Sequence, residues 1–164
     1  MRFYKVHQGL DYFGKIGVLL NDKGTQKRLL FSDSSEHLVP SYKLRLHAPQ
    51  FNPLVTRIDW VAESLDSVRR AYHRANSRYY QYQDSARVQL AFRLQDAERM
   101  AFHTQQLTKL ERAVISLENR WKEWNIRLHT LLEEQLLREL YFIYCDNNKH
   151  LPSFTTSEQL TLNL

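Results

Sequence analysis

The sequence predicts an α+β fold: a small N-terminal antiparallel β-sheet or half-barrel, a long coiled-coil-like antiparallel helical hairpin, and an extended C-terminal tail. Two observations favour this division. All four glycines lie in the first 24 residues, and neither glycine nor proline occurs between Leu54 and Leu151. Because these residues mark turns and interrupt helices, the first segment is rich in turns and the second is free to be helical. We expect a β domain over residues 1–51, the hairpin over 52–148 and the tail over 149–164.

The N-terminal segment has the pattern of short strands separated by turns. Residues 21–24 read Asn-Asp-Lys-Gly, and asparagine and glycine tolerate the positive φ angles of a hairpin turn. Pro40 has no backbone N–H to donate, so it either restricts the last strand to a sheet edge or splits it. The predicted strands are residues 3–7, 15–20, 26–32 and 37–46.

Two apolar seams with regular three- and four-residue spacing predict the long helices. Asn52 is a suitable N-cap for the first helix, and Pro53 suits its first helical position. The spacing is typical of two helices packed along each other, either within one chain or in a dimer of uninterrupted helices. The first seam is Ile58, Val61, Leu65, Val68, Tyr72, Ala75, Tyr79 and Tyr82, and the second is Leu107, Leu110, Val114, Leu117, Trp121, Trp124, Leu128 and Leu131.

The hairpin is expected to turn between the two seams, near residues 103–106. Before this point the heptad phase changes, which indicates a bend or stutter. The residues expected to carry the apolar stripe there are Leu90, Leu94, Ala97 and Ala101.

The second helix should end around residues 145–148, because Pro152 prevents its continuation. Its last turns are apolar nearly all round, which predicts burial against the N-terminal domain or a partner subunit. The residues concerned are Leu136, Leu137, Leu140, Tyr141, Phe142, Ile143 and Tyr144.

A stripe of arginines is the main candidate for binding chemistry. The chain has a formal net charge of +5, and residues 67–95 alone carry a net +5. Arg70, Arg74 and Arg78 recur every fourth residue and share one helix face. Arginine binds phosphates in bidentate fashion and stacks on bases, so this stripe predicts contact with nucleic acid. The candidate residues of this region are Arg69, Arg70, Arg74, Arg78, Tyr80, Arg87 and Arg93.

The alternative is that the stripe is a solvated helix face, or that its arginines pair with carboxylates of the other helix. The acids available for such pairing are Glu118, Glu123, Glu133 and Glu134. The N-terminal domain offers a second basic surface, formed by Lys27, Arg28, Lys43 and Arg45. Aromatic side chains beside these residues either stack on bases or fill the core of the small domain.

The sequence argues against an enzyme, and we expect no catalytic residue, metal or cofactor. No glycine follows Gly24, so a Gly-rich phosphate loop is absent. The histidines are scattered without metal-ligand spacing, and Cys145 is the only cysteine. A lone cysteine excludes an intrachain disulfide and suits a reducing compartment. With no long apolar run and no secretory signal pattern, we expect a cytoplasmic protein that does not enter a membrane.

The last six residues, Gln-Leu-Thr-Leu-Asn-Leu, have the pattern of a docking peptide. An extended peptide of this kind fixes its register with the glutamine amide and fills apolar pockets with its leucines. The hexapeptide resembles the bacterial sliding-clamp-binding motif, in which Gln-Leu-x-Leu is followed by one residue and then Leu or Phe. The matching residues are Gln159, Leu160, Leu162 and Leu164. The same alternation of leucines is also typical of a half-buried strand, so the tail is either a docking peptide or a packing strand.

The resemblance implies a sliding clamp as partner, and hence an accessory protein of DNA replication or repair that contacts nucleic acid through its basic surfaces. The main alternative is a structural coiled-coil adaptor that forms a homodimer through the heptad seams and packs its tail as a strand. A third interpretation is an RNA-binding or ribosome-associated factor that uses the same basic surfaces.

Overall fold

A computed structural model of the chain describes residues 1–9 and 11–149 and confirms the α+β class. The strands among these residues are β1 (Phe3–Val6), β2 (Ile16–Asp22), β3 (Gln26–Phe31), β4 (Glu36–Pro40) and β5 (Leu44–His47). The helices are α1 (Ile58–Gln83), α2 (Ala86–Arg93) and α3 (Ala97–Lys149). Lys149, the first residue of the predicted tail, is the last residue of α3, and the rest of the tail, including the C-terminal hexapeptide, lies outside the described residues.

The five strands form one antiparallel sheet in the order β4-β3-β2-β1-β5. Pro40 produces both effects expected of it, because it ends β4 and β4 lies at the sheet edge. A one-turn 3₁₀ helix (Ser41–Lys43) then turns the chain, and β5 returns to pair with β1. The predicted fourth strand is therefore two strands at opposite edges of the sheet.

Both faces of the sheet bury apolar side chains. Phe3, Ile16, Val18 and Leu30 point to one face, where Leu137 of α3 packs against them. Val6, Leu29, Phe31 and Val39 form a second cluster on the other face, with partly buried Tyr4, Tyr12, Leu19 and Leu44 around it. Because side chains alternate along a strand, neighbouring residues such as Leu29 and Leu30 serve different clusters.

The described residues form two compact units, of which the first contains Met1–Phe51 and the described residues from Glu133 onward, and the second is Asn52–Leu132. Helix α3 thus contributes to both. In the first unit, partly buried Leu140, Tyr141 and Tyr144 join Leu137 on the sheet. The sheet therefore covers one side of these turns, and Leu136, Phe142 and Ile143 are exposed; burial of these three residues against a partner subunit stays a prediction.

The buried carboxylate of Glu134 on α3 accepts hydrogen bonds from the last residue of β5 and from the segment that follows it. The Glu134 side chain is 0 % exposed. Its Oε1 accepts a hydrogen bond from His47 Nε2 at 2.6 Å. Its Oε2 accepts from the backbone N–H groups of Gln50 at 2.8 Å and Phe51 at 2.6 Å. All of these residues belong to the first unit, and together they fix the position where the chain leaves the sheet.

In the second unit, α1 and α3 form the expected antiparallel hairpin. All sixteen residues of the two seams are buried or half-buried. The Trp60 and Trp124 rings lie 5.7 Å apart between centroids, Tyr72 and Trp121 lie 5.4 Å apart, and Tyr82 contacts His103. As residue numbers rise along α1 they fall along α3, so the two seams face each other within one chain.

The turn of this hairpin differs from the prediction. Residues 103–106 are helical within α3, and the reversal occurs at residues 84–96, where α2 intervenes. Asp96 caps the start of α3, because its Oδ1 accepts from the Arg99 N–H at 3.1 Å. Gln95 adopts a left-handed conformation with φ of 50°, which reverses the chain between α2 and α3.

Two further details of the helical prediction were wrong. Leu90, Leu94, Ala97 and Ala101 are exposed, and the buried apolar residues of α2 are Val88 and Ala91. Asn52 does not cap a helix that begins at Pro53, because α1 begins only at Ile58. Instead, the Asn52 side chain accepts from the Leu54 N–H at 3.0 Å and its carbonyl from the Thr56 N–H at 2.7 Å, so it closes a separate turn.

Candidate nucleic-acid interface

Helix α1 places Arg70, Arg74 and Arg78 along one exposed face. The first of them forms an ion pair with Asp66 at 3.1 Å, and Asp66 also holds Arg69 at 2.6 Å. Arg74 and Arg78 form no ion pair within the described part of the chain. Two exposed guanidinium groups therefore keep their hydrogen-bond donors available for an anion.

The carboxylates of α3 that were candidates for pairing with this stripe have other surroundings. Glu118 forms an ion pair with Lys122 at 2.6 Å, one turn along its own helix. Glu134 is buried in the first unit, where it binds His47. Glu123 and Glu133 form no ion pair among residues 1–9 and 11–149. The arginines of the stripe are thus not neutralised by the opposite helix.

Arg78, the last arginine of the stripe, lines a cleft of about 620 Å³ at the turn of the hairpin. Helix α1 contributes Arg78, Gln81 and Tyr82 to its lining, which lie on one face at spacings of three and four residues. Helix α3 contributes Phe102, His103 and Gln106, and the intervening segment contributes Ser85 and Arg87. We call this feature the tip cleft.

The tip cleft is electropositive and partly aromatic. Two arginines and no carboxylate occur among its eight lining residues. The Tyr82 hydroxyl lies 2.7 Å from His103 Nδ1, which holds the imidazole ring in place. When this hydroxyl donates to Nδ1, the neutral imidazole carries its proton on Nε2 and presents a donor there. The arrangement is suited to binding an anion that carries a flat ring.

The sequence had placed Arg78 and Arg87 among the candidates, but not the other residues of the tip cleft. Tyr82 was assigned to the seam, and residues 103–106 were assigned to the turn. The signal that locates the cleft is a pair of N-cap residue types between the seams. Ser85 and Asp96 directly precede α2 and α3, and two helix starts so close together indicate a short intervening helix.

The remaining candidates on the helices lie apart from the tip cleft. Tyr80 lines a separate hollow of about 270 Å³ together with Glu111 and Ile115. Arg93 is exposed on α2 and does not line the cleft. The structure therefore places Arg78 and Arg87 in the same cleft, whereas Tyr80 and Arg93 lie elsewhere on the second unit, which is the helical unit.

On the sheet, most of the candidate cations already have partners. Lys27 binds Asp22 and lies over the Tyr4 ring. Arg28 pairs with Glu36 at 2.8 Å. Lys43 lies 5.8 Å from the centre of the Tyr42 ring, and Arg45 is exposed on β5 without an ion pair in the described residues. Of these four residues, only Arg45 has neither an ion pair nor a ring contact within the described residues.

The described residues contain neither a candidate metal site nor a candidate membrane-spanning helix. No group of three or more histidine, cysteine, aspartate or glutamate side chains in residues 1–9 and 11–149 is arranged to hold a metal ion. None of the helices described here combines the length and apolar character needed to cross a bilayer.

The chain was also compared with known proteins. No protein-family model, curated protein sequence or solved structure gives a significant match to it.

Proposed function

We propose that this chain is a non-enzymatic accessory protein of DNA replication or repair, which docks on the bacterial sliding clamp through its C-terminal tail and contacts DNA through its basic helical surface. The observation that carries the DNA part is that Arg74, Arg78 and Arg87 are exposed and form no ion pair within the described residues, and that the last two line the tip cleft. The clamp part rests on the terminal hexapeptide of the sequence. Both partners act in the cytoplasm.

The spacing of the arginines suits a nucleic-acid backbone. Successive residues at i and i+4 on a helix rise about 6 Å, which is comparable to the distance between neighbouring phosphates of a strand. Each guanidinium that contacts a phosphate releases counterions from the nucleic acid, so the affinity should fall steeply with salt concentration. A helix face that carries several such contacts binds without reading the base sequence.

In the tail, Gln159 fixes the register of the peptide in the clamp groove, and Leu160, Leu162 and Leu164 fill its pockets. Docking makes a weak DNA contact sufficient, because a tethered basic surface meets the DNA at a high effective concentration. The two halves of the proposal are therefore complementary, and each has its own experiment.

The DNA contact is tested by electrophoretic or anisotropy titration of single-stranded DNA, duplex DNA and RNA with the full chain and with the variant Arg70→Ala, Arg74→Ala, Arg78→Ala. If all three arginines contact phosphates, the plot of log K against log salt for duplex DNA should lose about 2.7 units of slope. The matched control removes three exposed cations of α3, by Lys109→Ala, Arg112→Ala and Arg120→Ala. Equal effects of both variants would exclude the stripe, and preferential binding of RNA would favour an RNA-binding factor.

The clamp contact is tested by titrating the full chain against purified bacterial sliding clamp. The variant Gln159→Ala, Leu160→Ala, Leu162→Ala should abolish micromolar binding. The matched control changes the intervening residues, Thr161→Ala and Asn163→Ala, which should bind as the original chain does because their side chains alternate away from the pockets. Absence of binding by the unaltered, folded protein would remove the clamp from the proposal.

A second candidate function is that of a structural adaptor. The exposed side chains Leu136, Phe142 and Ile143 favour it, because they leave apolar surface on the last turns of α3. Mass measurement in solution separates the two. If the unaltered protein is a dimer and the double variant Leu136→Ser, Ile143→Ser is also a dimer, this surface is not the dimer interface. If the unaltered protein is a monomer at all concentrations, it is not a homodimeric adaptor.

A further inference from the structure

We propose that the tip cleft holds one unpaired nucleotide of a DNA strand, with its phosphate at Arg78 and Arg87 and its base against Phe102. This inference deepens the proposed function and rests on its DNA part. It assigns the cleft a preference for single-stranded over duplex DNA, which the arginine stripe alone does not provide.

The phosphate position follows from charge. Arg78 comes from α1 and Arg87 from α2, so two separate elements bring a guanidinium to the same cleft. Both side chains are exposed, and neither forms an ion pair within the described ranges. No carboxylate is among the described residues that line the cleft. An anion with several acceptor oxygens can accept hydrogen bonds from both guanidinium groups at once, and a phosphodiester is such an anion.

The base position follows from an unpartnered ring. Phe102 is 55 % exposed although it lines the cleft, and its only described aromatic contact is edge-to-face with His103 at 5.5 Å. An aromatic ring held at the wall of a cationic cleft offers a stacking surface to a base. The side-chain amides of Gln81 and Gln106 supply donors and acceptors near it for the edge of the base.

Size and continuity favour a nucleotide over a bare phosphate. A volume of about 620 Å³ lies in the middle of the range of small-ligand sites, about 300–1,000 Å³. Arg70 and Arg74 precede Arg78 on the same face of α1, and Arg78 lines the cleft, so a strand that contacts these arginines in turn reaches the cleft with its next nucleotide. A base reaches Phe102 only when it is unstacked and unpaired, which a continuous duplex does not allow.

The test measures fluorescence anisotropy of labelled single-stranded and duplex DNA of equal length, with the full chain and with Phe102→Ala. Loss of stacking on one base should weaken single-strand binding by about 5- to 150-fold and leave duplex binding unchanged. Phe92→Ala is the matched control, because Phe92 is exposed on α2 outside the cleft, and it should change neither affinity. Arg87→Ala should weaken single-strand binding as well, and far-UV circular dichroism verifies that each variant is folded.

The inference would be overturned by unchanged single-strand binding in Phe102→Ala, by an equal loss for both DNA forms, or by an equal effect of Phe92→Ala. Thymidine monophosphate that competes as well as the oligonucleotide would also overturn it, because the cleft would then be a site for free nucleotides. If Phe102→Ala has no effect while the triple arginine variant loses DNA, only the cleft assignment fails. If the unaltered chain binds no DNA, the DNA part of the proposed function fails with it.

Discussion

Replacement of Glu134 by alanine should destabilise the sheet unit more than any surface substitution. The carboxylate is wholly buried, so water does not replace the three hydrogen bonds that it accepts. Its loss removes the acceptor of the Phe51 N–H, and because Phe51 is buried, this unsatisfied donor should cost about 1–3 kcal/mol. Together with the lost contact to His47, we expect a loss of about 3–5 kcal/mol in the free energy of unfolding, the range for breaking a buried pair.

The choice of assay follows from the placement of the chromophores. All three tryptophans, Trp60, Trp121 and Trp124, lie in the helical unit, so their fluorescence does not report directly on the sheet unit. Amide hydrogen exchange of residues 44–51 does. A loss of 3 kcal/mol corresponds to about a 150-fold faster exchange of the protected amides, provided that they exchange through opening of this unit.

Two further variants make this prediction specific. Glu134→Gln keeps the shape of the side chain, and a rotated amide still accepts from Gln50 and Phe51 while it donates to His47, so we expect a loss of only about 1–2 kcal/mol. Glu133→Ala removes the adjacent carboxylate, which is only half-buried and has no hydrogen-bond partner in the described chain, and should cost less than about 0.5 kcal/mol. If Glu134→Ala exchanges no faster than Glu133→Ala, the buried carboxylate does not stabilise this unit and the reasoning is refuted.

Three other predictions concern the same unit. Leu137→Ala should cost about 2–5 kcal/mol in urea unfolding, because the side chain is fully buried against the sheet, whereas an equal cost for exposed Leu136→Ala would contradict that packing. The hydrogen bond from Lys27 lowers the pKa of Asp22 below its ordinary value of 3.8, so this hydrogen bond stabilises the fold above pH 3.8 and the stabilisation is lost as the pH falls through the folded pKa. An NMR titration should show a higher pKa of Asp22 in Lys27→Ala, and an unchanged pKa would exclude the interaction between Lys27 and Asp22. Gly17→Ala should cost about 1–3 kcal/mol in thermal or urea unfolding, because the new Cβ would lie 3.1 Å from atoms of two buried side chains, and a neutral result would show that they yield freely.

Much of the fold could be predicted because it depends on local rules. Pro40 cannot donate to a sheet ladder, and the regular seams leave little choice of helix face. The turn of the hairpin was harder, because Gln95 reverses the chain without being glycine, asparagine or proline. The left-handed glutamine closes α2, where the Asp96 N–H donates to the Ala91 carbonyl at 3.3 Å and the Gln95 N–H donates to the Phe92 carbonyl at 3.4 Å, a C-cap that usually carries glycine.

The sequence also distinguishes poorly between Glu133 and Glu134, which are adjacent and chemically identical. Their different environments follow from helix phase, since Glu134 lies three residues after Leu131 and three before Leu137, both fully buried. The sequence signal for burial of Glu134 is its position, because it continues the apolar seam that ends at Leu131. The arginine stripe could be predicted as a stripe, but the tip cleft could not, because it depends on where α2 places Arg87.

The participation of α3 in both units has a consequence for synthesis of the protein. The apolar face formed by Phe3 and Val18 is covered by Leu137, which the ribosome adds more than a hundred residues later. At a translation rate of about 5–20 residues per second, roughly 5–20 s pass between synthesis of the sheet and synthesis of the α3 residues that cover it. Throughout that interval this apolar face of the sheet is exposed to water. A fragment of residues 1–51 should therefore aggregate on expression, and joining it by a linker to residues 133–149 should restore its solubility.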